Sequence, residues 1–447
     1  MAKYKAYPEY KDSGVEWLGK VPTHWQLIPC RAVVSHIVDK NDNGKIKNYL
    51  SLMANVGVIR YEDKGDIGNK KPDDLTKCKI VKKGQLVINS MNYGIGSYGM
   101  SPFDGVCSSV YIILEPKENI LKRYALRIFE NTPFQKHLAT FGNGILEHRA
   151  AIKWDDIKGQ AIPLPCKDEQ RNILKFLDHQ TARIDDLIEK QQQLIELLKE
   201  KRQAVISHAV TKGLIPDVPM KDSGVEWLGK VPDHWKLIKF SHCVSIRSGQ
   251  VDPRKLPYCD YWLIAPNHIV SGEGRIINLE TAKDQGADSG KYLCRTDEVI
   301  YSKIRPALVK ACLSPSDKVL CSADMYPMSS YNGLTNNFLL LYLLSDAFTR
   351  FAVNQADRVA MPKINRESLS DCKIPVPPIE EQEKIYSHVR EALEKLDVLL
   401  QKSQLTIEFF QERRTALISA AVTGKIDVRG WVAPDTQDIE ASQEATA

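Results

Sequence analysis

The chain has 447 residues, 43% of them hydrophobic and 26% charged, with a formal net charge of +5. Those proportions belong to an ordinary globular protein of two or three domains, and the mild positive charge permits a polyanionic partner without demanding one. Ten cysteines are scattered without CxxC spacing, which argues against a zinc site or a disulfide framework and suits a reducing cytoplasm. There is no apolar stretch near the N-terminus and no run of about 18 apolar residues, so the chain is expected to be neither secreted nor membrane-spanning.

In chain order, the first distinctive element is residues 11–28, KDSGVEWLGKVPTHWQLI. It returns as residues 221–238, KDSGVEWLGKVPDHWKLI, differing only at Thr23/Asp233 and Gln26/Lys236. A self-match of this quality marks a duplicated unit. A first body follows. Ile80–Ser90 reads as a charged turn and a short apolar strand, Val106–Leu114 as another strand, and Leu121–Leu138 as an amphipathic helix. Between them, Gly94-Ile95-Gly96-Ser97-Tyr98-Gly99 matches GxGxxG. No helix opens after it and Pro102 follows closely, so the spacing reads as a glycine-rich loop rather than a dinucleotide site.

Ile162-Pro163-Leu164-Pro165 then leads through Glu169-Gln170 into a run without Pro or Gly, from about Asp168 to Val210. Leu177, Ile184, Leu198 and Val205 fall on a heptad seam, as expected of a long helix of about 65 Å. After the second copy of the tryptophan-bearing segment, the pattern repeats with a drifted body. Leu293–Ser302 aligns with Ile80–Ser90, and Asn336–Asn354 reads as an amphipathic helix. Ile374-Pro375-Val376-Pro377 leads through Glu381-Gln382 into a second helix, from about Glu380 to Val422, with Val389, Leu396, Phe410 and Leu417 on its seam. Two matching seams of equal length are expected to pair with each other more than with their own bodies. The second helix ends in Gly424 with no third tryptophan-bearing segment after it; the N-terminal copy is free to close the ring. His24 and His234, beside Trp25 and Trp235, read as structural hydrogen-bonding residues.

The chemistry of an enzyme is missing. There is no GxxxxGK[ST] loop, no Asn/Asp-Pro-Pro-aromatic motif for methylating a base amino group, and no His or Cys cluster for a metal. The acidic residues near Lys64 and Lys303 that resemble nuclease clusters have no counterpart in the other half.

Two variable bodies alternating with two matched regions, each carrying EWLG-x-VP-xHW and an IP-x-P…EQ helix start, resemble the DNA specificity subunit of Type I restriction–modification systems. The resemblance covers essentially the whole chain. It departs slightly at Pro165-Cys166-Lys167-Asp168-Glu169-Gln170, where the second copy has Pro377-Pro378-Ile379-Glu380-Glu381-Gln382. It implies an α+β chain with two globular target recognition domains separated by two long antiparallel α-helices, a coiled coil with pseudo-two-fold, cyclic repeat organisation. The expected domains are a first recognition domain at 1–165, a spacer helix at 166–214, a second recognition domain at 215–377, a spacer helix at 378–426 and a flexible tail at 427–447.

The resemblance further implies a non-catalytic subunit in the cytoplasm that reads a bipartite, asymmetric sequence in double-stranded DNA. Its expected partners are two modification subunits, which carry S-adenosylmethionine, and restriction subunits, which use ATP and magnesium. No cofactor is expected on this chain and no membrane. Candidate DNA-binding residues follow the aligned strands: Asn89, Ser90, Asn92 and Tyr93 in the first body; Ser302, Lys303 and Arg305 in the second. The loops before the helix starts add His148 and Arg149, and Arg358 and Lys363. The alternative of another class is a coiled-coil scaffold spacing two protein-binding domains without touching DNA.

Overall fold

The computed structural model describes residues 4–68, 70–141, 151–356 and 362–433. They divide into two compact units, one of residues 1–190 with 406–447 and one of residues 191–405. Each unit therefore takes pieces of both long helices, Lys167–Lys212 and Ile379–Val422. Among the described residues no helix is long and apolar enough to cross a membrane.

In the first unit, Tyr10–Asp12 pairs with Lys20–Pro22 in a small hairpin, and Gln26–Pro29 pairs with Ala161–Leu164. The second unit repeats both, with Met220–Asp222 on Lys230–Pro232 and Lys236–Lys239 on Lys373–Val376. The IP-x-P segment is thus a strand that closes each body against the segment after its tryptophan. The prolines lie in or directly after that strand and the long helix begins only after them; deeper inside a helix each would lack the N–H that pairs with the carbonyl four residues back.

The helix-start Glu-Gln pair has a physical explanation. Gln170 is fully buried; its amide donates to the Pro165 and Asn119 carbonyls and its oxygen accepts from the Leu121 N–H. Gln382 repeats this bracket with Pro377, Gly333 and Thr335. Glu169 and Glu381 receive His24 and His234 at 3.0 and 2.8 Å, the structural role expected of those histidines.

Trp25 and Trp235 are buried to 1% or less exposure. Trp235 packs where the first helix ends, 3.2 Å from the Cβ position of Gly213, and its indole N–H donates to Glu381 at 3.1 Å. Trp25 packs in the same way at Gly424, the end of the second helix, and the Tyr10 hydroxyl donates to the Gly424 carbonyl. The ring is closed by the N-terminal copy, as the cyclic reading requires. Both glycines hold the left-handed conformation, φ +74° and +73°, that ends a helix. Beyond Gly424, Val428 is buried and Trp431 meets the Phe176 ring edge-on at 5.3 Å; residues 434–447 lie outside the described part.

Within the first unit Arg414 bridges to Asp185 at 3.0 Å, and within the second Arg202 bridges to Asp397. Seventeen residues forward along one helix correspond to seventeen backward along the other, the signature of antiparallel neighbours. Leu177, Ile184, Leu417 and the half-buried Phe410 share one core with body residues such as Phe129. Val389 and the half-buried Val205 do so with Phe338. Leu198 is buried and Leu396 half-buried further along the pair. Near its ends, then, the helix pair also serves as a wall of each body's core.

The bodies share a topology that their sequences conceal. In the first, a four-stranded antiparallel sheet runs in the order Val34–Ile37, Tyr111–Pro116, Leu86–Asn89, Tyr98–Met100; in the second, Val244–Ile246, Met325–Ser330, Val299–Ser302, Ala311–Leu313. Three expectations need correction. Val106–Leu114 is two strands, Gly105–Cys107 and Tyr111–Pro116, because a turn at Ser108–Val110 lets the chain leave one sheet for another. The helix expected over Leu121–Leu138 is broken at Asn131, which is extended (ψ 115°) ahead of Pro133. The helix over Asn336–Asn354 is broken at Ser345, whose hydroxyl caps the Phe348 N–H.

A Cβ at Gly424 would lie 2.3 Å from Pro22 Cδ, in a conformation that L side chains rarely adopt. Gly424→Ala should therefore destabilise the first unit by about 2–4 kcal/mol, read as a lower midpoint in urea unfolding. An unchanged midpoint would show that the ring closure contributes nothing.

Candidate nucleic-acid interface

In both units the loop leaving the third strand of the sheet meets the segment that precedes a short helix. The Ile152 N–H donates to the Ser90 carbonyl at 3.1 Å, and the Ile364 N–H to the Lys303 carbonyl at 2.9 Å. The short helices are Trp154–Ile157 and Arg366–Ser370. In each unit the strand-exit loop named from sequence therefore meets the described stretch just before the short helix, at one end of the four-stranded sheet.

The individual residues divide into two groups. Asn89 is buried and its oxygen accepts from the Met91 N–H, holding the turn. Tyr93 is buried and its hydroxyl donates to the Phe129 carbonyl at 2.6 Å; burial pushes that phenol well above its ordinary value. Ser302 is buried with its hydroxyl on the Ile304 carbonyl. These three shape the loop. Ser90 and Asn92 are half-buried, and Lys303 is half-buried with Nζ on the Ala323 carbonyl at 2.7 Å. Arg305 and Lys363 are exposed and adjacent, since the Arg305 N–H donates to the Pro362 carbonyl at 2.7 Å. Arg305 has φ +48°, an uncommon conformation for a residue with a side chain. His148, Arg149 and Arg358 lie outside the described residues.

Four residues at these sheet ends were not singled out from sequence. Arg366 donates to the Arg247 carbonyl at 2.6 Å and lies 5.5 Å from the centre of the Tyr326 ring, with Lys303 at 5.6 Å from the same ring. In the first unit Trp154 stacks on His36 at 5.5 Å. Burial foremost, and Lys79 next, hold the His36 imidazole below its ordinary value. The frame offset would have paired position 154 with 366, but the stacking needs the fold. Behind the second sheet end, Arg247 is locked to the buried Glu298, which also accepts from Ser329 and from the Arg295 N–H.

The glycine loop has a packing role. A Cβ at Gly96 would meet Asn55 Oδ1 at 2.3 Å, and one at Gly99 would meet the Gly57 backbone at 2.8 Å. The hairpin of Leu50–Met53 and Gly57–Arg60 rests on it. A cleft of about 950 Å³ beside this loop has Arg414 and Arg127 on its walls, both already engaged by Glu130. Among the described residues no group of three or more His, Cys, Asp or Glu side chains is placed to hold a metal ion.

Comparison with known proteins places this architecture. The family model of the Type I restriction modification DNA specificity domain matches residues 33–197 and 232–408. The Type I restriction enzyme EcoDI specificity subunit of Escherichia coli is 29% identical over 311 residues, 66% of this chain and 69% of its own. The Type I restriction enzyme MjaVIII specificity subunit of Methanocaldococcus jannaschii is 26% identical over 428 residues, 92% of this chain and 95% of its own. Among solved structures, a chain from a type I R-M system aligns with a TM-score of 0.67 at 14% identity, over 91% of this chain and 99% of that one. The HsdS subunit from Thermoanaerobacter tengcongensis aligns with a TM-score of 0.50 at 14% identity, over 91% and 98%. At that identity the structural likeness speaks for the fold.

Two α+β bodies and two long helices fit the DNA specificity family whose model matches most of the chain. The chain belongs to the family of Type I restriction–modification DNA specificity subunits, which are non-catalytic.

Near the interface of the second unit, His268 is buried and its Nδ1 accepts from the Ala265 N–H at 3.0 Å. Burial lowers its pKa from the ordinary 6.5, with Lys310 adding to the shift and Glu280 opposing it. The folded state therefore binds fewer protons than the unfolded one, and stability is lost as pH falls through 6.5 toward the folded value. An NMR titration of His268 should show a midpoint below 6.5; a midpoint at or above 6.5 would contradict the buried acceptor role.

Proposed function

We propose that the chain reads a bipartite, asymmetric DNA sequence, one half per recognition domain (1–165 and 215–377), with the gap set by the spacer helices (166–214 and 378–426). The observation that carries this reading is the repeated junction at the sheet end. The same strand-exit loop meets the same pre-helix segment in both units, on a duplicated frame, while the side chains at the junction differ. A duplicated frame with unlike surfaces suits unlike half-sites, with centres about one helical turn, ~10 bp, apart. Ser90, Asn92, Lys303, Arg305 and Lys363 are the described candidates for contact. His148, Arg149 and Arg358 complete the proposed set, and Asn89, Tyr93 and Ser302 hold its loops in shape. Cations at the junction would supply phosphate contacts, and polar side chains would read base edges.

The chain directs partners that carry the chemistry. Two modification subunits would bring S-adenosylmethionine and methylate adenine in each half, and restriction subunits would bring ATP, magnesium and cleavage. The long helices offer exposed apolar side chains for docking: Leu187 and Phe409 in the first unit, Leu194, Leu197, Val398 and Leu399 in the second.

Co-expression with the modification partner, followed by single-molecule sequencing of genomic DNA, tests the reading. The expected result is a split, asymmetric motif with methyladenine in each half. No new methylation from an assembled complex with a competent partner would favour a scaffold that never touches DNA.

A further inference from the structure

Positions 154 and 366 stand 212 residues apart, the same offset as the bracket glutamines Gln170 and Gln382. Each opens a short helix directly after the segment bonded to the strand-exit loop. Each side chain also reaches the first strand of its sheet. Trp154 stacks on His36, with 30° between the rings. Arg366 donates to the carbonyls of Ile246 and Arg247, at 3.3 and 2.6 Å. The place is the same and the chemistry is opposite.

In the second unit, the guanidinium of Arg366 lies beside the Tyr326 ring with Lys303 near the same ring, and the exposed Arg305 and Lys363 stand alongside. Two carbonyls occupy two of the five N–H donors of Arg366, and the side chain is exposed. In the first unit, the indole packs against an imidazole, ring centroids 5.5 Å apart, whose pKa burial lowers. Exposed apolar side chains stand close in the chain, Met91 after Ser90 and Val110 before Tyr111 on the strand paired with Asn89, while Lys79 and Asp155 are the charged groups that act on the imidazole.

We propose that residues 154 and 366 are paired specificity-determining positions, through which the two units make unlike demands on their DNA halves. The second unit presents fixed donors, which suit the acceptor-rich major-groove edge of guanine and the adjoining phosphates. The first presents an aromatic and apolar surface, which suits thymine methyl groups. This rests on the reading that each unit faces one half of a split site.

The test uses the full chain assembled with its modification partner, and variants Arg366→Ala, Arg366→Lys, Trp154→Ala and Trp154→Phe. Methylation motifs are read by single-molecule sequencing, and DNA affinity is measured across salt concentration. Arg366→Ala should lower base preference by roughly tenfold in one half only. It should also reduce the slope of log affinity against log salt by about one. Trp154→Ala should relax only the other half and leave that slope unchanged. Arg366→Lys and Trp154→Phe keep charge or aromaticity, and should show the same half-specific effect more weakly even if an alanine variant fails to assemble.

Variants that lower total methylation without changing either half of the motif would show a merely structural role and overturn the proposal. So would changes spread equally over both halves. A wild-type complex that methylates a split motif while every variant does likewise sinks this inference alone. A wild-type complex that yields no split motif sinks the parent reading as well.

Discussion

The fold depends on a tryptophan seated where one long helix begins and the other ends. Trp235 touches Gly213 at the end of the first helix and Glu381 at the start of the second. Trp25 sits at Gly424, and its neighbour His24 bonds to Glu169. Burying each indole stabilises its unit by several kcal/mol, on the scale of about 3–5 kcal/mol for truncating a large core aromatic. The seat also dictates connectivity. A helix end from one repeat and a helix start from the other are gathered into one unit, so neither repeat completes a unit without the other. The two seats are not identical. The Tyr7 hydroxyl donates to an oxygen of Glu169 at 2.6 Å in the first, and the Trp25 indole N–H finds no partner among the described residues, whereas Trp235 bonds directly to the glutamate.

From that constraint follows a division of labour between frame and body. Key frame residues are closely held: buried Gln170 and Gln382 with all their donors used, Gly424 with no room for a Cβ, and Arg202 and Arg414 bridged to aspartates on the opposing helix. Such positions tolerate little change. At the sheet end the requirement is weaker. Backbone hydrogen bonds join the strand-exit loop to the pre-helix segment, from Ile152 to Ser90 in the first unit and from Ile364 to Lys303 and Arg305 to Pro362 in the second, and the side chains above them are tryptophan and histidine in one unit, arginine and lysine in the other. A recognition surface is able to diverge there without disturbing the core beneath it.

Much of this was legible in the residues. The long helices are marked by heptad spacing and the absence of Pro and Gly, and their observed ends lie within two residues of those expected. The ring closure was legible because one tryptophan-bearing segment is missing at the C-terminal side. Breaks at Ser108–Val110, Asn131 and Ser345 were hidden, because a continuous apolar pattern does not reveal a turn that one polar residue supplies. Asn89 and Tyr93 show the limit at the interface. Polar residues on a loop look available in sequence, yet the loop consumes their hydrogen bonds to hold its own shape. The cation–aromatic stack of Arg366, Tyr326 and Lys303 joins residues up to 63 positions apart, and only the sheet brings them together.

The most direct test of the central claim exchanges one body and keeps the frame. Residues 30–160 would be replaced by the corresponding body of another family member with a known target, leaving both tryptophan-bearing segments and both long helices intact. Methylation motifs would then be mapped before and after the exchange. The account predicts that one half of the motif changes to the donor's half, while the other half and the gap stay as they were. A change in both halves, or in the gap alone, would contradict it.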